Sequence, residues 1–247
     1  MRSSPNTWKT FWARLGFKSK KRSANRRRAY HRTLRFEQCE DRCMLATFMV
    51  TNTYDGDVTG PGDQPGTLRQ AIFDAEELDG PDIIEFAPGL NGEIITLGKD
   101  ANGNPTFTGE LFISESVTID ASMLAAGITI DAGNGMDEMP GTGDGSRIFH
   151  TQSFGGTTNV LLDGLTLTGG DPGTSGGAIL SAGANLTIQN STISGNTAGW
   201  PQGAGDGGGV HYTGTNVELK ILANSTISGN GRYGWNSASV AILILAV

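Results

Sequence analysis

The seven residues from Asn190 to Asn196 read NSTISGN, and the same seven return from Asn224 to Asn230, thirty-four residues later. A glycine step travels with them, from Gly176-Gly177-Ala178-Ile179 to Gly207-Gly208-Gly209-Val210. A unit made of one short β-branched strand and one glycine turn cannot bury its apolar side alone, so copies must stack and share a core. The chain therefore reads as a solenoid. Glycine, at 37 of 247 residues, is about twice its usual share, which calls for many turns and few helices.

Short strands separated by turns recur along the chain: 82–86, 93–97, 110–113, 116–120, 127–131, 146–150, 160–162, 165–168, 178–180, 186–189, 191–193, 217–221 and 225–227. Apolar residues alternate with Thr, Glu and Lys in Leu186-Thr-Ile188 and Val217-Glu-Leu219-Lys-Ile221, so one face is buried and the other wet. Asn190 and Asn224 follow such strands at turn positions, where Asn tolerates a left-handed backbone, and coils in register stack them into a ladder. One helix stands out near 67–79. Leu68, Ala71, Ile72, Ala75 and Leu78 form its apolar stripe, Thr67 is placed as N-cap and Gly80 follows its end. An exposed terminal coil needs a cover, so this helix is assigned as the N-terminal cap. With coils of roughly 25 residues, about seven are expected, a rod on the order of 34 Å long.

Charge divides the chain. Residues 1–36 hold twelve Lys or Arg and no acid, whereas residues 43–247 hold five basic and twenty-two acidic residues. The basic segment could bind nucleic acid in isolation, but a body carrying a balance of −17 repels a phosphate backbone, and nucleic acid is not expected as a partner. The segment is a poor standard signal peptide, because its one apolar run, Cys43 to Val50, is short and follows Glu37, Glu40 and Asp41. Cys39 and Cys43 are the only cysteines. They lack the further ligands of a zinc site, and the body's stability cannot rest on disulfides.

Two resemblances add to this. The run Leu34-Arg-Phe36-Glu37-Gln-Cys39-Glu40-Asp41-Arg42-Cys43-Met44-Leu45-Ala46 resembles the N-terminal export motif of planctomycete extracellular proteins, with Cys39 and Met44 in place of common leucines. It implies a targeting segment over 1–46 and an extracellular or cell-surface body. The strand and glycine pattern over about 48–230, with its GGAI and NSTISGN repeats, resembles bacterial surface proteins of the pectin-lyase-like and polymorphic outer-membrane-protein groups. These imply an all-β fold, a right-handed parallel β-helix solenoid with one N-terminal capping α-helix. The expected organisation is a targeting segment (1–46), a β-helix repeat domain (47–230) and an irregular apolar tail (231–247). The tail, too short to span a bilayer, reads as a last strand or as the scar of a truncated frame, with truncation favoured. No transmembrane segment is expected.

Function is less legible, because one solenoid serves adhesins, lyases, hydrolases and inert surface proteins alike. The body's bases are Arg69, Lys99, Arg147, Lys220 and Arg232, and no pair of nearby acids accompanies Arg147 or Lys220 in sequence. Asp120, Asp131 and Asp163 recur at strand ends and could align as the carboxylates of a hydrolase, yet Asp at such a position is first a turn residue. His150 and His211 read as ordinary polar residues. The turns 141–145 and 205–209, together with the acidic balance, leave calcium as one candidate ligand, although the full calcium-binding nonapeptide period is missing. The N-x-S/T sequences at Asn185, Asn190 and Asn224 follow from strand and turn composition. No residue is assigned as catalytic, cofactor-binding or metal-ligating. The expectation is a secreted or cell-surface adhesin-like or structural protein whose partners are surface or matrix components, polysaccharide among them. A polysaccharide lyase or glycoside hydrolase is the alternative.

Overall fold

Alternating burial along each short strand decides how the chain winds. In Val117–Asp120, Ile128–Asp131 and Leu165–Thr168 every second side chain points inward, so each strand has one apolar and one polar face. The computed structural model describes residues 45–102, 109–135, 138–199, 205–222, 224–232 and 242–246. By contacts the chain divides into Met1–Asp41 and Arg42–Val247, and the described residues all lie in the second unit. Of the run that resembles an export motif only Leu45 and Ala46 are among them; its other residues and both cysteines fall outside.

Three all-parallel sheets form the walls of a β-helix. Sheet one stacks Thr47–Val50, Asp82–Phe86, Val117–Asp120, Asn159–Asp163, Asn185–Gln189 and Leu219–Ile221 in that order. Sheet two stacks Leu111–Ile113, Phe149–Gln152, Ile179–Ala182, Val210–Gly214 and Ile242–Ala246. Sheet three stacks Ile94–Thr96, Ile128–Asp131, Leu165–Thr168, Thr192–Ser194 and Thr226–Ser228. The register carries like residues onto like: Ile84, Ile119, Leu162 and Ile188 form one buried column, and Ile95, Ile130, Leu167 and Ile193 form another. Each such side chain contributes about 1.5–3 kcal/mol by leaving water.

The helix α1 spans Leu68–Glu76 and packs against Thr47–Val50, Asp82–Phe86 and Leu111–Ile113. It covers the first coil as expected, but it stops sooner than the stripe suggested. Glu77 is its C-cap, and Leu78 lies exposed beyond it. Thr67 is the N-cap, its Oγ1 accepting from Gln70 N at 3.1 Å and donating to Gln64 O at 2.9 Å. Thr67→Ala should cost about 1 kcal/mol, read as a lower midpoint in urea unfolding without a change of slope.

Among the described residues the coils are fewer and longer than expected. Sheet one holds six strands, which at about 4.8 Å per step is roughly 24 Å of stack. Register returns after 26 residues between Asn159 and Asn185, but after 43 between Val117 and Val160, because the corners hold loops of very different length. Other departures are local. The strand expected at 146–150 begins at Phe149, since Ile148 N and Phe149 N both donate to Ala178 O and both side chains turn inward. Val210–Gly214 is a strand hidden in sequence by its glycine step and its His and Tyr. In Leu219–Ile221 the expected alternation weakens, and Ile221 is exposed. Within the tail, Ile242–Ala246 runs parallel to Val210–Gly214.

Both Asn positions of the repeat are ladders. Asn190 and Asn224 have φ of 49° and 62°, and Asn224 Nδ2 donates to Asn190 Oδ1 at 3.3 Å on the outside. The second pair is buried. Asn196 Nδ2 donates to Leu167 O, Ser194 O and Asn230 Oδ1, while Asn196 Oδ1 accepts from Gly170 N at 2.9 Å.

Candidate functional site

Sheet two brings the chemically capable side chains together. Register sets Phe112 against His150, His150 against Leu180 and Leu180 against His211, a single outward column. Glu110, just before the first of these strands, reaches His150 Nδ1 with Oε1 at 2.8 Å and binds the Arg147 guanidinium with Oε2. Arg147 NH2 also donates to Thr174 Oγ1 at 2.6 Å. Glu110 is itself held from below: Arg69, paired with the buried Asp55 at 2.7 Å, donates to Glu110 O and Gly109 O at 3.0 and 2.8 Å. The cap helix thus fixes the backbone that presents the carboxylate.

Electrostatics follow from this packing. Burial pushes the Glu110 carboxyl up, but the hydrogen bond to His150 and the charge of Arg147 outweigh it and leave the group below its ordinary range. Burial lowers the His211 imidazole, with the Arg147 charge assisting and Asp206 opposing. His211 Nδ1 is buried with no hydrogen-bond partner among the described residues. A carboxyl lowered on folding stabilises the fold above its unfolded value of about 4.3, and this contribution fades as pH falls through the lowered folded value. The stability gap between the wild type and Glu110→Gln should therefore be full at neutral pH and close progressively below about pH 4.3, as followed by thermal unfolding across pH. Glu110→Ala, which strands the buried Arg147 charge, should cost about 3 kcal/mol at neutral pH.

The acids singled out in sequence go elsewhere. Asp120 and Asp163 are register partners on sheet one, whereas Asp131 stands on sheet three. Asp120 Oδ1 accepts from Ser122 N, and Asp131 Oδ1 from Gly133 N, both at 2.8 Å, each closing its own turn. Asp163 accepts from Gln189 Nε2 and Asn190 Nδ2 of the next coil. The turn 141–145 aims its amides at a carboxylate: Thr142 N and Gly143 N donate to the fully buried Asp171. That polarity is the reverse of the oxygen cage that calcium requires, and no cluster of three or more His, Cys, Asp or Glu suited to a metal occurs among the described residues. Lys220 pairs with Glu218 on the exposed rim of sheet one. There a groove of about 430 Å³ runs past Ser116, Thr118, Asn159 and Asn185. Asn185 is part of the stacking, donating to Asn159 Oδ1 and accepting from Glu218 N.

No family model, no curated protein and no solved structure matches this chain. The functional reading therefore rests on the β-helix and its outward chemistry. Sequence reasoning passed over Glu110, the residue on which the cluster turns, and missed the acid that accompanies Arg147. Glu110 lies 37 residues from Arg147 and 40 from His150, so only the inter-coil register brings them together. The pairing of Phe112 with His150 depends on the same register.

Proposed function

We propose that this chain is a secreted or cell-surface β-helix protein, adhesin-like or structural, with no catalysis of its own. The observation that carries the reading is the employment of its strand-end carboxylates: Asp120, Asp131 and Asp163 are consumed by turns and inter-coil bonds. The export-like run over Leu34 to Ala46 supports an extracellular location. The parallel coils with a helical cap support kinship with the pectin-lyase-like and polymorphic outer-membrane-protein groups. Among the described residues no helix is long and apolar enough to cross a membrane. Fractionation of the native host tests the proposal. Recovery at the surface or in the medium is expected, and recovery in the cytoplasm would overturn it.

A second reading, a carbohydrate-active lyase or hydrolase, is favoured by one observation: Glu110 backs His150 through Nδ1, an arrangement that fixes the tautomer of a proton-transferring imidazole. Release of unsaturated or reducing ends from a panel of acidic polysaccharides, lost in His150→Ala, would place it first.

A further inference from the structure

Among the described residues the exposed large apolar side chains include only two aromatic rings, Phe112 at 39% and Phe154 at 71%. These two are neighbours. Their centroids lie 6.3 Å apart with 42° between the planes, and His150 stands edge-on to Phe112 at 5.2 Å and 89°. Phe154 is carried on a short loop closed by Ser153 Oγ donating to Gly156 O at 2.9 Å. Two exposed rings side by side, next to a carboxylate and an imidazole, form an apolar floor with polar groups at its rim.

We propose that Phe112 and Phe154, with Glu110 and His150 at their edge, form a binding site for a neutral hexose oligosaccharide. A sugar ring presents just this pair of surfaces, C–H groups on one face and hydroxyls around the edge. The rings take the C–H face. Each Glu110 oxygen carries one partner, His150 or Arg147, and retains lone-pair capacity for a sugar hydroxyl. His150 Nε2 makes no hydrogen bond to a described residue, so it supplies a second polar contact.

Charge narrows the ligand. Arg147 and His150 already face Glu110, so a cationic ligand finds no unpaired anion there. A uronate would find the Arg147 charge already engaged by Glu110 and would face a body strongly biased toward acids. A purely apolar partner would strip water from Glu110 and His150 and give nothing back. This inference deepens the adhesion reading by naming what is bound, and rests on it only for where binding takes place.

The test uses the purified full chain, so it is independent of where fractionation finds the protein. Cellotetraose and β-1,4-galactotetraose serve as neutral probes, and trigalacturonate as the anionic one, all titrated by calorimetry to millimolar concentration. Binding of at least one neutral probe is expected, weakened about tenfold by Phe154→Ala, whose side chain the fold does not need, and further by adding Phe112→Ala. Thermal unfolding confirms that both variants remain folded. Should Phe112→Ala fail to fold, Phe154→Ala decides alone. No binding of either neutral probe, tighter binding of trigalacturonate, or binding untouched by Phe154→Ala overturns the proposal.

Discussion

Asn196→Ala should lower the unfolding free energy of the body by about 3 kcal/mol, a large share of the stability of any single domain. Asn196 is fully buried, and its amide joins three coils: it accepts from Gly170 N, donates to Leu167 O and meets Asn230 Oδ1 at 2.9 Å. Alanine leaves the Gly170 N–H and two carbonyls without these partners in a place that water does not reach, and each such loss costs about 1–3 kcal/mol. Asn196→Asp serves as the companion variant. It keeps the shape but replaces the donor with an acceptor against Leu167 O and Ser194 O, so it should be at least as damaging at neutral pH. Equilibrium unfolding in urea, followed by circular dichroism, reads both. An alanine variant within about 0.5 kcal/mol of wild type would show that the buried ladder is dispensable.

Gly177→Ala should be more severe, leaving little folded protein at ordinary temperature. A Cβ at Gly177 would stand 1.9 Å from Gly208 O and 2.5 Å from Thr197 O. Both obstacles are backbone on adjoining turns, so no side chain can rotate away. The hydrogen bonds stacking this corner, Gly177 N to Gly207 O and Ala178 N to Gly209 O, would have to part, which places the change among the rare losses above about 4 kcal/mol. Gly62→Ala is the control within the same chain. Nothing lies within 4 Å of its Cβ position, so it should carry only the modest penalty of its positive φ of 75°. Soluble yield and thermal midpoint separate the two.

What was legible in sequence is what repeats locally. The alternation in Leu186-Thr-Ile188, the cap signal at Thr67 and the turn role of Asn190 each depend on neighbours a few residues away, and each stands in the structure. What was illegible depends on register between coils. The coil length was underestimated because the corner loops obey no period. Asn196 reads as a turn residue like Asn190, and only the stack turns it inward. Glu110 looks like any strand-edge acid until a return of 38 residues, Leu111 to Phe149, lays its strand beside that of His150.

The unequal coils carry a consequence for how such a protein can change. A turn of 26 residues and one of 43 keep the same strand-to-strand alignment, so the length of a corner loop is decoupled from the spacing of the walls. Segments can be gained or lost at the corners without shifting one inward side chain, while a single residue inserted within a wall reverses the faces of the rest of that strand. The walls are thus closed to length variation and the corners open to it, making the corners the natural ports for grafting a new recognition loop onto an unchanged frame.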